Sequence, residues 1–231
     1  MEKKKIEQSC PKKLQAREAS VSPAVIKRLP RYFRYLRVIM REGIMRISSS
    51  ELSERMDVTA SQIRQDLNCF GGFGQQGYGY NVPYLYAKIC EILGVGEGYT
   101  AIVVGAGNLG SALVRSPMFE RRGVNIAALF DVDPARVGKK LGDIPILSMT
   151  QLESFCARHS VDVAVLTLPK DCTREAAARI AALGIRGIWN LTGLDLENSD
   201  GGPVVENVHI GDSLMTLCYE IHRLEGREER V

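Results

Sequence analysis

Thr100-Ala101-Ile102-Val103-Val104-Gly105-Ala106-Gly107-Asn108-Leu109-Gly110 decides the fold of the larger part of this chain. A buried-strand run leads straight into three glycines spaced Gly-x-Gly-x-x-Gly, and Leu109–Val114 continues as a helix. The glycine pattern is informative because of this context, a strand before it and a helix after it. Gly105 permits the tight turn, Gly107 lets a pyrophosphate approach the backbone, and Gly110 lets helix and strand pack closely. The helix N-terminus then faces the phosphates.

Working outward, Asn125–Phe130 reads as the next strand and ends at Asp131, 26 residues past Gly105. A carboxylate there accepts the adenosine ribose hydroxyls and repels a 2′-phosphate, which favours NAD(H) over NADP(H); a cap on the turn Asp133-Pro134-Ala135 is the alternative. Strands at Ile144–Leu147, Val161–Leu168 and Arg186–Leu191 alternate with helices at Thr150–Arg158 and Thr173–Leu183. Such alternation predicts a parallel sheet covered on both faces. Cofactor contacts are expected at the strand ends, at Gly105 to Gly110, Asp131, Val132, Thr167, Leu168, Pro169 and Asn190. The last helix, about Asp212–Arg223, is long and amphipathic, and packs on its own domain or on a second subunit.

Towards the N-terminus, Ser22-Pro23 is a helix start. Leu29, Tyr32, Phe33, Leu36, Ile39 and Met40 follow at helical spacing, with arginines between them. Pro30 is expected to kink or restart this helix, and Gly43 to end it. Ser50–Met56 makes a short second helix and Asp57-Val58 a turn. Thr59 and Gln62 form a capping box for a third helix. Ile63 and Leu67 face inward there, leaving Ser61, Gln62, Arg64, Gln65 and Asn68 outside. Arginine suits guanine and Gln or Asn suit adenine, so the segment fits a helix–turn–helix; a three-helix bundle with a solvated face fits this segment equally well. Phe70–Tyr80 holds five glycines and four aromatics, and a wing lying on a sugar–phosphate backbone explains the aromatics better than a linker does. Arg28, Gln76 and Tyr78 join the candidate DNA contacts.

Charge divides along the same line. Residues 1–84 carry 15 basic and 8 acidic side chains, giving +7; residues 85–231 carry 15 and 19, giving −4. A basic first third implies that only this part meets phosphate. Six scattered cysteines without a Cys-x-x-Cys pair, and no signal peptide, suit reduced thiols in the cytoplasm. No apolar run of about 18 residues suggests a membrane span, and no metal site is apparent. The expected organisation is a mobile basic tail (1–21), a winged-helix domain (22–82), a connecting helix and linker (83–99), a Rossmann-type doubly wound sheet (100–210) and a C-terminal helix (211–231).

With these motifs in view, the chain resembles the Rex family of redox-sensing transcriptional repressors over roughly residues 22–223. The resemblance rests on Val58-Thr59-Ala60, Gln62–Leu67, the wing glycines with Tyr78 and Tyr80, Gly105–Gly110, Phe130–Pro134 and Val205–Val208. It implies a homodimer with exchanged C-terminal helices, reading an inverted-repeat operator in double-stranded DNA, and released when NADH closes the dimer. NADH is the preferred ligand if the family behaviour is retained. Five positions depart from the pattern. Ser116-Pro117 stands for a family Tyr-Pro, and His209-Ile210 for Asp-Phe, where Tyr and Asp pair across subunits and Phe lies near the nicotinamide. Gln65 replaces a family lysine and Gln76 a basic wing residue, which implies an altered operator or weaker, less salt-dependent binding.

The alternative reading is a Rex-like DNA-binding paralogue whose NADH discrimination is weakened or lost, answering to coenzyme A, an adenine nucleotide or nothing. A thiol switch at Cys69 is a further option. A dehydrogenase is disfavoured, since His159, His209 and His222 have no evident orienting carboxylate.

Overall fold

The computed structural model describes residues 21–71, 74–75 and 78–228. The expected basic tail up to Ser20, and Gln76 in the wing, lie outside them. The chain divides into two compact units, one through Val95 and one from Gly96 onward.

The first unit opens with α1 (Pro23–Arg41), capped by the Ser22 side chain. Pro30 neither restarts nor ends it: the helix runs unbroken through that residue. Pro30 and Ile26 are both on the exposed side, so the carbonyl left without its donor faces water. α2 (Ser49–Met56) starts one residue before its expected position, because Ser48 and Glu51 form a reciprocal capping box. Asp57 turns the chain in a left-handed conformation (φ 51°), and α3 (Ala60–Asn68) follows. The Thr59 hydroxyl accepts from the Gln62 N–H at 3.2 Å. The expected capping box is only half formed, since the Gln62 side chain turns to Asp66 instead.

A small sheet completes the unit. β2 (Gly74–Gln75) and β3 (Gly79–Asn81) form an antiparallel hairpin, and β1 (Arg46–Ile47) adds to its other edge. This is the winged-helix layout, with a third strand that the sequence reading lacked. α4 (Val82–Ile92) then returns along α1. Leu29, Tyr32, Leu36 and Ile39 of α1 close on Leu52, Ile63, Leu67, Leu85 and Ile89 in one core. Each such side chain stabilises the unit by about 1.5–3 kcal/mol on burial.

The second unit is a seven-stranded sheet: β4 (Tyr99–Val104), β5 (Val124–Asp131), β6 (Lys140–Leu141), β7 (Ile144–Ser148), β8 (Val163–Leu166), β9 (Gly187–Asn190) and β10 (Val204–Asn207). Their order is β10-β9-β8-β4-β5-β7-β6, all parallel except the β6–β7 pair. This is the doubly wound order, with its crossover reversing between β4 and β8. β10 and β6 are strands the sequence reading missed. The expected helix over 150–158 is shorter, a 3₁₀ turn at Met149–Gln151 followed by α6 (Leu152–Cys156).

Strand alternation builds two cores. Val103, Leu129 and Val165 point to the side of α5 (Asn108–Arg115), with Leu113 packed there. Ile102, Val104, Ala128, Phe130 and Leu166 point to α6 and α7 (Thr173–Ala182), through Leu152, Phe155 and Ile180.

The last described element is α8 (Ile210–Glu228), longer than expected at both ends. Ile210, Leu214, Leu217, Ile221 and Leu224 lie on its exposed surface at intervals of four and three residues, a heptad stripe.

Candidate functional site

The nucleotide-binding candidate sits where β4 and β8 part. Gly105 takes φ +104°, and a Cβ on it would lie 2.6 Å from the Thr167 carbonyl oxygen. A Cβ on Gly110 would meet the Gly105 carbonyl oxygen at 2.0 Å and the Thr167 hydroxyl at 2.7 Å. Both positions therefore exclude any side chain. Gly107 is different: a Cβ there would touch no protein atom within 4 Å. Its bareness leaves open space at the start of α5, where backbone N–H groups are free for an anion.

A cleft of about 590 Å³ opens at these strand ends. Of the expected cofactor residues, it brings together Gly105, Gly107, Asp131, Val132, Thr167, Leu168 and Pro169. Ala106, Asn108, Leu109 and Gly110 build the turn and the helix start beside it. The Thr167 hydroxyl donates to the Gly105 carbonyl at 2.8 Å, tying the β8 end to the glycine turn.

Asp131 closes β5 and is 5% exposed. Its Oδ2 accepts from the Ala106 N–H at 2.7 Å and from Arg136 Nη1 at 3.1 Å; its Oδ1 accepts from the Asp133 N–H at 2.9 Å. Burial pushes this carboxyl up, but the N–H donors of Asp133 and Ala106 and the Arg136 guanidinium outweigh it. The group is held below the usual carboxylate range. The free protein thus has Asp131 ionised and partly covered by Arg136, a residue that sequence reasoning missed. Its signal was there, a cation five positions after the expected ribose-binding acid. Met149, Cys172 and Arg179 also line the cleft unforeseen; Arg179 is engaged with Glu153 and the Met149 carbonyl.

Four expected cofactor residues stand apart from the cleft lining. Asn190 is 2% exposed. Its amide donates to the Leu194 carbonyl and the Asn207 side chain, and its oxygen accepts from the Thr192 N–H and hydroxyl. It is a clip for the β9–β10 loop, with no group left for a ligand. Ser116 caps α5 at its C-terminal end, and Ile210 begins α8, 60% exposed. His209 Nε2 lies 2.8 Å from Asp195 Oδ1, so this histidine does have an orienting carboxylate. Asp195 raises the His209 pKa above its ordinary value.

The nucleic-acid candidate is the outer face of α3. Ser61, Arg64, Gln65 and Asn68 are exposed there, and Gln62 is partly buried. Arg64 donates to the Ser49 hydroxyl at 2.9 Å, which leans it towards α2. Tyr78, 69% exposed at the wing, lies 6.0 Å beneath the Arg46 guanidinium. Arg46 was not foreseen, since its role depends on the unpredicted strand β1. Arg28, expected to face DNA, is instead paired with Asp66, a fully buried acid in the recognition helix. Cys69 caps α3 with its thiol on the Gln65 carbonyl. Among the described residues no helix is long and apolar enough to cross a membrane.

Comparison with known proteins agrees with both halves. Residues 20–68 match the family described as "Putative DNA-binding protein N-terminus", and residues 97–194 match "CoA binding domain". The redox-sensing transcriptional repressor Rex of Thermoanaerobacter pseudethanolicus is 47% identical over 210 residues, 91% of this chain and 93% of the relative. The Rex of Caldicellulosiruptor bescii is 46% identical over 215 residues, 93% of this chain and 99% of the relative. Among solved structures, RSP in complex with β-NAD⁺ and operator DNA superposes with a TM-score of 0.83 at 47% identity, covering 90% of this chain and 96% of that one. RSP in complex with β-NADH superposes at 0.84 and 44%, covering 92% and 99%. The chain belongs to the Rex family of redox-sensing transcriptional repressors.

Proposed function

We propose that this Rex-family chain is a transcriptional repressor, not an enzyme, whose grip on operator DNA is set by NADH and NAD⁺. The observation that carries it is the pairing, in one chain, of an exposed polar recognition helix with a nucleotide cleft at the strand crossover. The cleft residues fit an NAD(H) dinucleotide. Gly107 leaves room for the pyrophosphate at the start of α5, and Asp131 stands ionised at the end of β5, where the adenosine ribose comes. Leu168 and Pro169 offer apolar surface beside it. The related RSP structures hold β-NAD⁺ with operator DNA, and β-NADH; this favours NAD(H) over coenzyme A as the ligand.

On this reading Ser61, Arg64, Gln65, Asn68 and Tyr78 meet double-stranded DNA in the cytoplasm. The heptad stripe of α8 joins two copies, so that paired recognition helices read an inverted repeat one turn apart. Ser116, His209 and Ile210 stand apart from the cleft lining of one chain and meet the nicotinamide end only once two copies are joined. NADH lowers DNA affinity only as far as it binds the DNA-free arrangement more tightly than the DNA-bound one. The test is fluorescence anisotropy of a duplex selected by the purified protein, titrated with NADH, NAD⁺ and coenzyme A. NADH releasing the duplex at concentrations where NAD⁺ and coenzyme A do not is the expected result. No selected duplex, or equal release by all three, overturns the reading.

A further inference from the structure

Gln62 lies in the first turn of α3, the part of a recognition helix that meets base edges. Its Nε2 lies 2.8 Å from Asp66 Oδ1, one turn further on. Asp66 has no exposed surface. It also accepts from Arg28 Nε at 2.7 Å, Arg28 Nη2 at 2.6 Å and the Tyr32 hydroxyl at 3.0 Å. Four donors fill the capacity of a carboxylate, which when ionised can only accept.

This fixes the orientation of the Gln62 amide. An amide flipped by 180° would set its carbonyl oxygen against a buried anion and leave Asp66 one donor short, both unfavourable in an interior. The Gln62 carbonyl oxygen is therefore the acceptor left for an outside partner, and it has no hydrogen bond among the described residues; the second Nε2 hydrogen stays at the end held by Asp66. A free glutamine exchanges its two ends by flipping; this one cannot, and its acceptor stays where the lock puts it.

We propose that Asp66 locks Gln62 with its carbonyl towards the major groove, making it a reader of exocyclic amines. The bases that offer one there are adenine, through N6, and cytosine, through N4; guanine and thymine present acceptor oxygens at that level, with which the locked carbonyl oxygen cannot pair. Asp66 acts as a positioning residue, and Gln62 sets the specificity at one base pair of each half-site. The inference rests on the DNA-binding reading above.

The full-length wild type and Gln62→Leu each select duplexes from a random library, which locates the base pair whose preference Gln62 imposes. That base is then replaced by its analogue without the amine, purine for adenine or 2-pyrimidinone for cytosine. The expected result is an adenine or cytosine preference lost in Gln62→Leu, with amine removal weakening wild-type binding about tenfold and the variant not at all. A guanine or thymine preference, an amine removal that costs both proteins the same, or a variant with unchanged selection overturns the proposal. A wild type that selects no duplex overturns the DNA-binding reading itself and this proposal with it.

Discussion

Arg28 and Asp66 face each other fork to fork across the first unit, with Nε–Oδ2 at 2.7 Å and Nη2–Oδ1 at 2.6 Å. The pair ties α1 to the recognition helix, 38 residues apart. Arg28→Ala leaves a carboxylate buried without its main partner, a change that costs about 3 kcal/mol or more. Thermal unfolding should show a large fall in the midpoint. Burial pushes the Asp66 carboxyl up, but Arg28, Gln62 and Tyr32 outweigh it and hold it below the carboxylate range. Its stabilisation is therefore complete above the unfolded carboxyl value near 3.9 and declines as pH falls below that towards the lower folded value. Arg28→Ala should lose most against the wild type at neutral pH, and the gap should narrow on acidification below pH 4.

Gly107 and Gly110 separate ligand from scaffold. Gly110→Ala drives a methyl against the Gly105 carbonyl oxygen and the Thr167 hydroxyl, so both thermal stability and nucleotide affinity should fall. Gly107→Ala meets no protein atom. It should keep the wild-type melting temperature within about a degree or two, as surface substitutions do, while calorimetry shows NADH affinity reduced tenfold or more. Equal losses from the two variants would contradict this assignment.

Arg64→Ala should weaken operator binding about tenfold or more, the worth of one good base contact, and leave NADH affinity unchanged. Asp131→Ala should do the reverse, losing NADH affinity at the ribose end while free protein still binds DNA. Anisotropy and calorimetry on both variants give the four numbers. Joint loss of both activities in both proteins is the outcome that contradicts two separable sites.

His209 and Asp195 form an exposed pair. Since Asp195 raises the His209 pKa, the pair's contribution is fully present below the ordinary histidine value of about 6.5 and is lost as pH rises through the raised value. NMR titration should place the His209 transition above the ordinary histidine value of about 6.5, and Asp195→Asn should bring it back down. An unmoved His209 transition in Asp195→Asn would show the contact to be unimportant in solution.

Gly105 to Gly110, Asp131 and the Thr167–Pro169 strand end were legible in the sequence because a doubly wound sheet puts ligand contacts at fixed offsets from local patterns. Arg136 was overlooked although it sits only five residues beyond Asp131, because its value depends on where a flexible side chain folds back. The Arg28–Asp66 pair had no local signature at all. An arginine on a polar-looking stripe reads as a phosphate contact until the fold brings an acid to it from the third helix. Asn190 failed in the opposite sense. Its position at a strand end suited a ligand contact, but β10 was not foreseen, and Asn207 on that strand is one of the groups that close its amide. The half-formed capping box at Thr59 has the same origin, since Gln62 had a better partner inside the domain than at the helix end.

The stripe from Ile210 to Leu224 has a consequence for how this protein persists in dilute solution. Five large apolar side chains on one helix are too much hydrocarbon for a lone chain to leave in water, so completing the second unit and finding a second copy become one thermodynamic event. Its melting temperature is then a function of protein concentration, rising as mass action favours the pair. A repressor present in few copies would stand nearest its own dissociation limit, and its supply as well as its ligand would govern how many operators are covered.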